Sequence, residues 1–325
     1  MAELTMGAVQ FAERSSTLKR FIATDSFFRF LTRASAIAVL AILLGVFASL
    51  AIGAWPAFRA FGPEFLVAQS WNPVTDKFGA LPPIYGTVVT SIIAMLIAVP
   101  VGIGIAIFLT ELCPRLLRQP IGIAIELLAG IPSIIYGIWG LFVFSPFLQQ
   151  HVQPAMIGLF GGVPVLDQLF AGPPYGIGMF TAGLILAIMV IPFISSISRD
   201  VFETTPAVLK ESTYALGATK WEVIWSVVLP YGRSGVLGGV MLALGRALGE
   251  TMAVTFVIGN AHKISPSILA PGTTISATIA NEFTEAVGDL YTASLIALGF
   301  ILFVITFIVL AIARYMLSRL ELRTR

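Results

Sequence analysis

Apolar positions along this chain are concentrated in six runs of about 20 residues or more, the length needed to cross a bilayer. They are 34–55, 84–109, 121–148, 174–198, 234–258 and 290–313. Charge interrupts them rarely: Glu126 lies in the third, and Arg246 and Glu250 lie in the fifth. Proline is more frequent inside them, at Pro100, Pro132, Pro146 and Pro192, and those positions predict broken helices. A lipid environment offers no partner to an unpaired backbone group, so the runs predict α-helices. Spanning strands would show about ten residues of alternating polarity, and no such segments occur. The expected fold class is therefore an all-α polytopic membrane protein with six transmembrane helices.

Composition supports that reading. Of the 325 residues 57% are hydrophobic and 11% are charged, and the mean hydropathy is +0.94. Ordinary globular proteins carry about 25% charged residues. Nineteen Lys and Arg with 17 Asp and Glu cannot cover a soluble surface of this size, which excludes a soluble enzyme and a disordered regulator. The single cysteine, Cys113, excludes an intrachain disulfide. His151 and His262 are too far apart in sequence to form a metal motif, so no metal site is expected. A net charge of +2 does not indicate a nucleic-acid partner.

Where the cations fall sets the expected orientation. Fifteen of the 19 lie in the first 33 residues, the segments 110–120 and 199–233, and the tail after 313. Only Arg59, Lys77 and Lys263 fall in the alternate segments, and Arg246 lies within a run. By the positive-inside rule both termini are cytoplasmic. Residues 1–33 then form a cytoplasmic N-terminal segment and 314–325 a cytoplasmic tail. The first apolar run is too long and too far from the start for a typical cleaved signal. The outer segments 56–83, 149–173 and 259–289 are rich in Pro and Gly; they are either simple connectors or a surface for an external partner.

The segment 199–233 reads as two short amphipathic helices. Thr205-Pro206 suits a helix start, Gly217 separates the two, and Leu229-Pro230 is expected to end the second. Such a unit either lies on the membrane surface or docks a cytoplasmic protein. Glu211-Ser212-Thr213, Gly217 and Leu229-Pro230 stand at the spacing of the loop signature of bacterial ABC importer permeases, which this segment resembles. Ser212-Thr213 replace two alanines of that signature, and Val227 stands where isoleucine is usual. The resemblance implies a type I importer permease fold over 84–313. It also implies that the loop 199–233 docks on a separate ATP-hydrolysing subunit. The chain has no G-x-x-x-x-G-K-[ST] phosphate loop, so ATP and magnesium would belong to that partner and this chain would bind no cofactor and carry no catalytic residue.

Arg246 and Glu250 are the charges with most to explain. On a continuous helix from Ser234, Arg246 lies roughly 18 Å in, with Glu250 one turn further on the same face. A charge at such depth costs at least about 2.5 kcal/mol. Either the two neutralise each other as an i,i+4 pair, or they face a pathway. In the second case Arg supplies a planar fork for an oxyanion, and Glu accepts the proton that hydrogen phosphate carries and sulfate lacks. Gly235/Gly239 and Gly245/Gly249 predict close helix contacts around them. Glu126 reads as a carboxylate reaching the interface or favouring a helix start.

Three stretches narrow the resemblance to the phosphate branch of these permeases: Ala129–Gly137, Leu244–Val254 and Thr274–Phe283. They are similar to the first of that importer's two permease subunits, located in the bacterial inner membrane. The resemblance implies a PstA-like second permease, two PstB-like ATP-binding subunits and a PstS-like periplasmic phosphate-binding protein. It also implies a transport role for Arg246 and Glu250. A permease for another oxyanion (sulfate, molybdate or phosphonate) and a stand-alone channel or carrier remain as alternatives; no visible inverted halves favour the latter.

Overall fold

The computed structural model describes residues 2–164 and 166–322, with the side chains of 2–24, 26 and 320–322 left aside. Arg14, Lys19, Arg20, Arg323 and Arg325, counted above for orientation, therefore lie outside the described side chains. Among the described residues the chain is mostly helical, with one isolated antiparallel bridge, Asn72–Lys77, and no strand. It forms two compact units, residues 1–52 and 53–325.

The first unit is helical. The helix α1 (Ala2–Phe61) holds both the expected N-terminal segment and the first apolar run. Asp25 and Arg29 pair across one turn at 2.9 Å. From Phe27 to Phe47 its large apolar side chains are exposed, as expected of a helix whose neighbour is lipid.

The second unit contains the remaining runs. α2 (Leu81–Leu112), α5 (Met179–Glu203), α7 (Lys220–Gly249) and α10 (Asp289–Leu322) are each long and apolar enough to cross a membrane. α3 (Arg115–Ala129) and α4 (Ser133–Phe160) form one apolar pair bent by 88°, so the third run is not one straight helix. Pro132 sits in that bend, in extended conformation (ψ 137°), and the Tyr136 hydroxyl braces it by donating to the Leu128 carbonyl at 2.8 Å. Pro100 and Pro192 lie within α2 and α5 without breaking either, contrary to the sequence expectation.

α5 is the central helix, its apolar stretch 61% buried against 22–33% for α2, α7 and α10. Small residues let its neighbours approach. A Cβ on Gly102 of α2 would lie 2.8 Å from Ile194, and one on Gly183 of α5 would lie 2.6 Å from Ile93. Gly235 and Gly239 of α7 press on Val201 and Ile197, at 2.5 and 2.8 Å by the same measure. The first glycine pair thus makes the close contact that its spacing predicts. In the second pair, Gly245 meets only Leu310 at ordinary distance, and Gly249 faces open space. From Gly53 onward α1 packs on α10, with the Phe58 ring edge-on to Phe300 at 6.0 Å.

Among the described residues four short π-helical turns interrupt the regular winding: Phe108–Leu112, Gly140–Phe144, Leu148–Val152 and Ile224–Val228. Each ends two residues before a proline, namely Pro114, Pro146, Pro154 and Pro230. Within a regular helix a proline ring collides with the carbonyl four residues back. Here the residue before the proline donates instead to the carbonyl five back, for example Leu229 to Ile224. The chain widens locally and, after Pro146, Pro154 and Pro230, the helix continues.

That device corrects one expectation. Leu229-Pro230 does not end the second loop helix; winding runs unbroken from Lys220 into α7. The segment 199–233 is therefore the end of α5, the helix α6 (Ala207–Ala215), and the start of α7.

Candidate functional site

The fifth apolar run is broken near its middle. α7 stops at Gly249, Glu250 turns extended (φ −68°, ψ 131°), and α8 (Met252–Val257) begins two residues later. Arg246 and Glu250 are therefore not on one helical face, and the expected i,i+4 geometry does not occur. Among the described residues neither takes part in an ion pair. Arg246 occupies the last turn of α7, where the helix dipole favours a cation. Its guanidinium lies over the Phe193 ring of α5, 4.5 Å from the centroid. The Glu250 carboxylate turns the other way and accepts the Ala253 N–H at 3.3 Å through Oε1, at the start of α8. Each charge is eased by a helix end, and neither is cancelled by the other.

The two other motif stretches meet this break through α8. A Cβ on Gly137 of α4 would stand 2.7 Å from the Phe256 ring and 3.1 Å from the Met252 carbonyl, so only glycine allows that approach. α9 (Ile275–Glu282) also packs on α8. Its start is capped by Thr274, whose hydroxyl accepts the Ala277 N–H at 3.2 Å. α9 is tied to α2 as well: the Ile275 N–H reaches the Thr87 hydroxyl at 3.0 Å, and a Cβ on Gly86 would overlap the Thr273 carbonyl.

α9 ends in a constellation that sequence reasoning missed. The Glu282 carboxylate accepts hydrogen bonds from Trp71 Nε1 and from the Tyr291 hydroxyl at 2.7 Å, and contacts His262 Nε2 at 2.7 Å. The His262 ring stacks on Trp71, 5.3 Å between centroids and 8° from parallel. Burial pushes the Glu282 carboxyl up; the hydrogen bonds from His262, Tyr291 and Trp71 outweigh this and hold it below the ordinary carboxylate range. One side chain thus ties three other segments, around Trp71, His262 and Tyr291, to the end of α9. No local spacing announces it; a carboxylate beside Asn281 and Phe283 reads as an ordinary loop charge.

Among the expected coupling residues, Glu211, Ser212 and Thr213 lie on α6, where the Ser212 and Thr213 hydroxyls both donate to the Leu209 carbonyl. Gly217 follows with φ +88°, a conformation suited to glycine. Thr219 and Glu222 then form a capping box that starts α7: Glu222 accepts the Thr219 N–H at 2.7 Å, and Thr219 accepts the Glu222 N–H at 3.4 Å. Val208, Leu216, Trp221 and Trp225 are exposed around this turn. Leu229 and Pro230 stand apart from it, inside the continuing helix.

Two ion pairs brace this end and were not foreseen. Lys210 of α6 meets Glu111 of α2 at 2.5 Å. Arg199 of α5 meets Glu126 of α3 at 2.7 Å. Glu126 therefore belongs to a bridge near the end of α3, not to a helix start. A Cβ on Gly122 would lie 2.8 Å from the end of the Arg199 guanidinium, which would have to move aside. A cavity of about 490 Å³ opens beside this pair, lined by Arg115, Arg118 and Glu203 among others.

The sequence from residue 98 to 322 matches the family model described as the inner membrane component of binding-protein-dependent transport systems. The chain belongs to this permease family. Relatives support the assignment over nearly the whole length. The permease is 69% identical to the phosphate transport system permease protein PstC of Mesorhizobium japonicum, over 98% of this chain and 99% of that one. To the protein of the same name in Pasteurella multocida it is 58% identical, over 90% and 92%. In fold it is similar to a chain of a bacterial alginate ABC transporter solved with an alginate-bound periplasmic protein. There the TM-score is 0.60 at 18% identity, covering 89% of the permease and 94% of that chain. The permease is thus a multi-pass ABC importer subunit with the type I fold, a family that works with other importer components.

Proposed function

We propose that this permease forms half of the translocation pathway of an ATP-driven inorganic phosphate importer. Its likeness to phosphate permeases from two bacteria supports the substrate. The observation that carries the residue-level reading is Arg246: a guanidinium within an apolar run, at a helix break, with no carboxylate paired to it among the described residues. Broken helices place such charges along transport pathways. Arg246 attracts the oxyanion through its fork of donors. Glu250 commits one carboxylate oxygen to Ala253 and keeps the other to accept the hydroxyl hydrogen of hydrogen phosphate.

On this reading the segment 199–233 faces the cytoplasm, with both termini. Glu211 to Gly217, with the exposed side chains around the turn, dock on a PstB-like ATPase that binds ATP and magnesium. Leu229 and Pro230 act as the stiff root joining that turn to α7. A PstA-like permease completes the pathway, and a PstS-like periplasmic protein delivers phosphate from outside. ATP closure and hydrolysis move α6, and α7 carries the movement to its far end at Arg246, so that the pathway opens alternately to each side.

The test is phosphate uptake by the complete transporter in proteoliposomes, with Arg246→Gln and Glu250→Gln made separately. Arg246→Gln is expected to abolish most uptake while the complex assembles. Glu250→Gln is expected to narrow the preference for phosphate over sulfate in competition. Wild-type uptake and selectivity in both variants would reject the assignment.

A further inference from the structure

We propose that Phe193 is the positioning residue for Arg246, holding its guanidinium fixed in plane while leaving its hydrogen-bond donors free for the transported oxyanion. The inference rests on the reading of Arg246 given above and adds a residue to it.

A cation within an apolar run needs something to hold it. A carboxylate would do so at a cost to function, because a fork-to-fork pair uses the donors that must bind the anion and cancels the charge that attracts it. An aromatic ring holds a cation differently. The negative face of its quadrupole attracts the guanidinium from above, while the N–H groups point outward in the guanidinium plane. The structure sets the guanidinium carbon over a ring and against no carboxylate among the described residues. Arg246 lies 4.5 Å from the Phe193 centroid, and the nearest carboxylate in sequence, Glu250, is turned away to the start of α8.

The geometry is also held from below. Phe193 follows Pro192 on α5, and its neighbour Ile194 is fully buried against Gly102 of α2. One turn on, Ile197 presses on Gly239 of α7. Arg246 stands two turns beyond Gly239 on that same helix. Ring and guanidinium are therefore carried by two helices locked at a glycine contact, and their separation follows from backbone packing. A pre-aligned fork loses less freedom when the anion arrives, which is the general advantage of preorganisation. Neither the resemblance nor any motif stretch includes Phe193; only the fold brings it to Arg246.

The experiment replaces Phe193 by phenylalanines of increasing fluorination, which empties the ring face of negative potential with little change of shape. Uptake by the complete transporter in proteoliposomes is read beside the melting temperature of the complex. Uptake is expected to fall stepwise, to about tenfold below wild type at full fluorination, with unchanged melting temperature. Phe193→Leu is expected to behave like the fully fluorinated ring, and Phe193→Trp to stay within about twofold of wild type. Uptake insensitive to fluorination, alongside a strong loss in Arg246→Gln, would overturn the role of Phe193 alone. Wild-type uptake in Arg246→Gln would instead overturn the reading of Arg246 on which it rests.

Discussion

Glu282 and Arg246 are both charged and only 36 residues apart, yet Glu282 is half-buried, Arg246 is exposed, and their surroundings are opposite. Glu282, its side chain 18% exposed, is met by partners on three sides: an indole, a phenol and an imidazole. Arg246 has an aromatic face and a helix end, and no acceptor that pairs with it among the described residues. A charge whose partners are all in place has its work done within the fold, since each hydrogen bond ties down another segment. A charge held but not paired is ready for a partner from outside. The difference separates scaffold from site, and Glu126 with Arg199 falls on the scaffold side of it.

The widest separation between the two classes is expected from Arg246→Gln. Losing charge-assisted hydrogen bonds to the anion should cut uptake on the order of a hundredfold, while the melting temperature of the complex stays near wild type. If stability falls with uptake, Arg246 belongs with Glu282 and the contrast fails.

Gly239→Leu tests the lock between α5 and α7. The new side chain must displace Ile197, and overpacking of this kind costs about 1–3 kcal/mol. Melting temperature and uptake should drop together, because Phe193 and Arg246 are separated by the same shift.

Glu282→Gln should show the reverse of Arg246→Gln: stability lowered by about 1–3 kcal/mol at pH 7, with uptake reduced only in proportion to folded protein. Acid sharpens this. The folded state holds the Glu282 carboxyl below its ordinary value, so the ionised group stabilises the fold above the unfolded-state pKa of about 4.3. That contribution is lost as pH falls through the folded value. The melting temperature of the wild type should therefore fall in acid, and that of Glu282→Gln should begin lower and decline less.

The smallest effect is expected from Glu111→Gln. Its bridge to Lys210 is short, with Glu111 10% and Lys210 21% exposed, but the amide that replaces the carboxylate still accepts from Lys210, so about 1 kcal/mol is expected to be lost. A modest loss of coupling between ATP hydrolysis and uptake, larger than the loss of stability, would place α6 among the moving parts.

Much of the fold was legible in the pattern of apolar runs, because a bilayer demands length and apolarity that no other environment demands so strictly. The limits of that legibility are equally physical. Helix windows treat Ser234 to Ile258 as one span, since Gly249 and Glu250 carry no breaking signal as strong as proline; the break comes from a side chain, Glu250, bonding its own backbone downstream. Pro230 misled in the opposite direction, because the π turn before it absorbs the clash that normally ends a helix. At the candidate site the sequence singles out Arg246 and Glu250 but neither the helix break at Glu250 nor the neighbours Phe193 and Ala253, which depend on where helices land. Glu282 was invisible because its three partners lie 211, 20 and 9 positions away.

The π turns bear on heredity as well as on shape. Three of them, before Pro146, Pro154 and Pro230, are in effect one extra residue taken up within a single turn, so the helix beyond keeps facing the same neighbours. A lineage can therefore gain or lose a residue at these three places, together with the proline that follows, without rewriting the membrane-facing and core-facing stripes downstream. Insertions and deletions between related permeases are expected to collect there, inside the spans, where membrane helices ordinarily tolerate none.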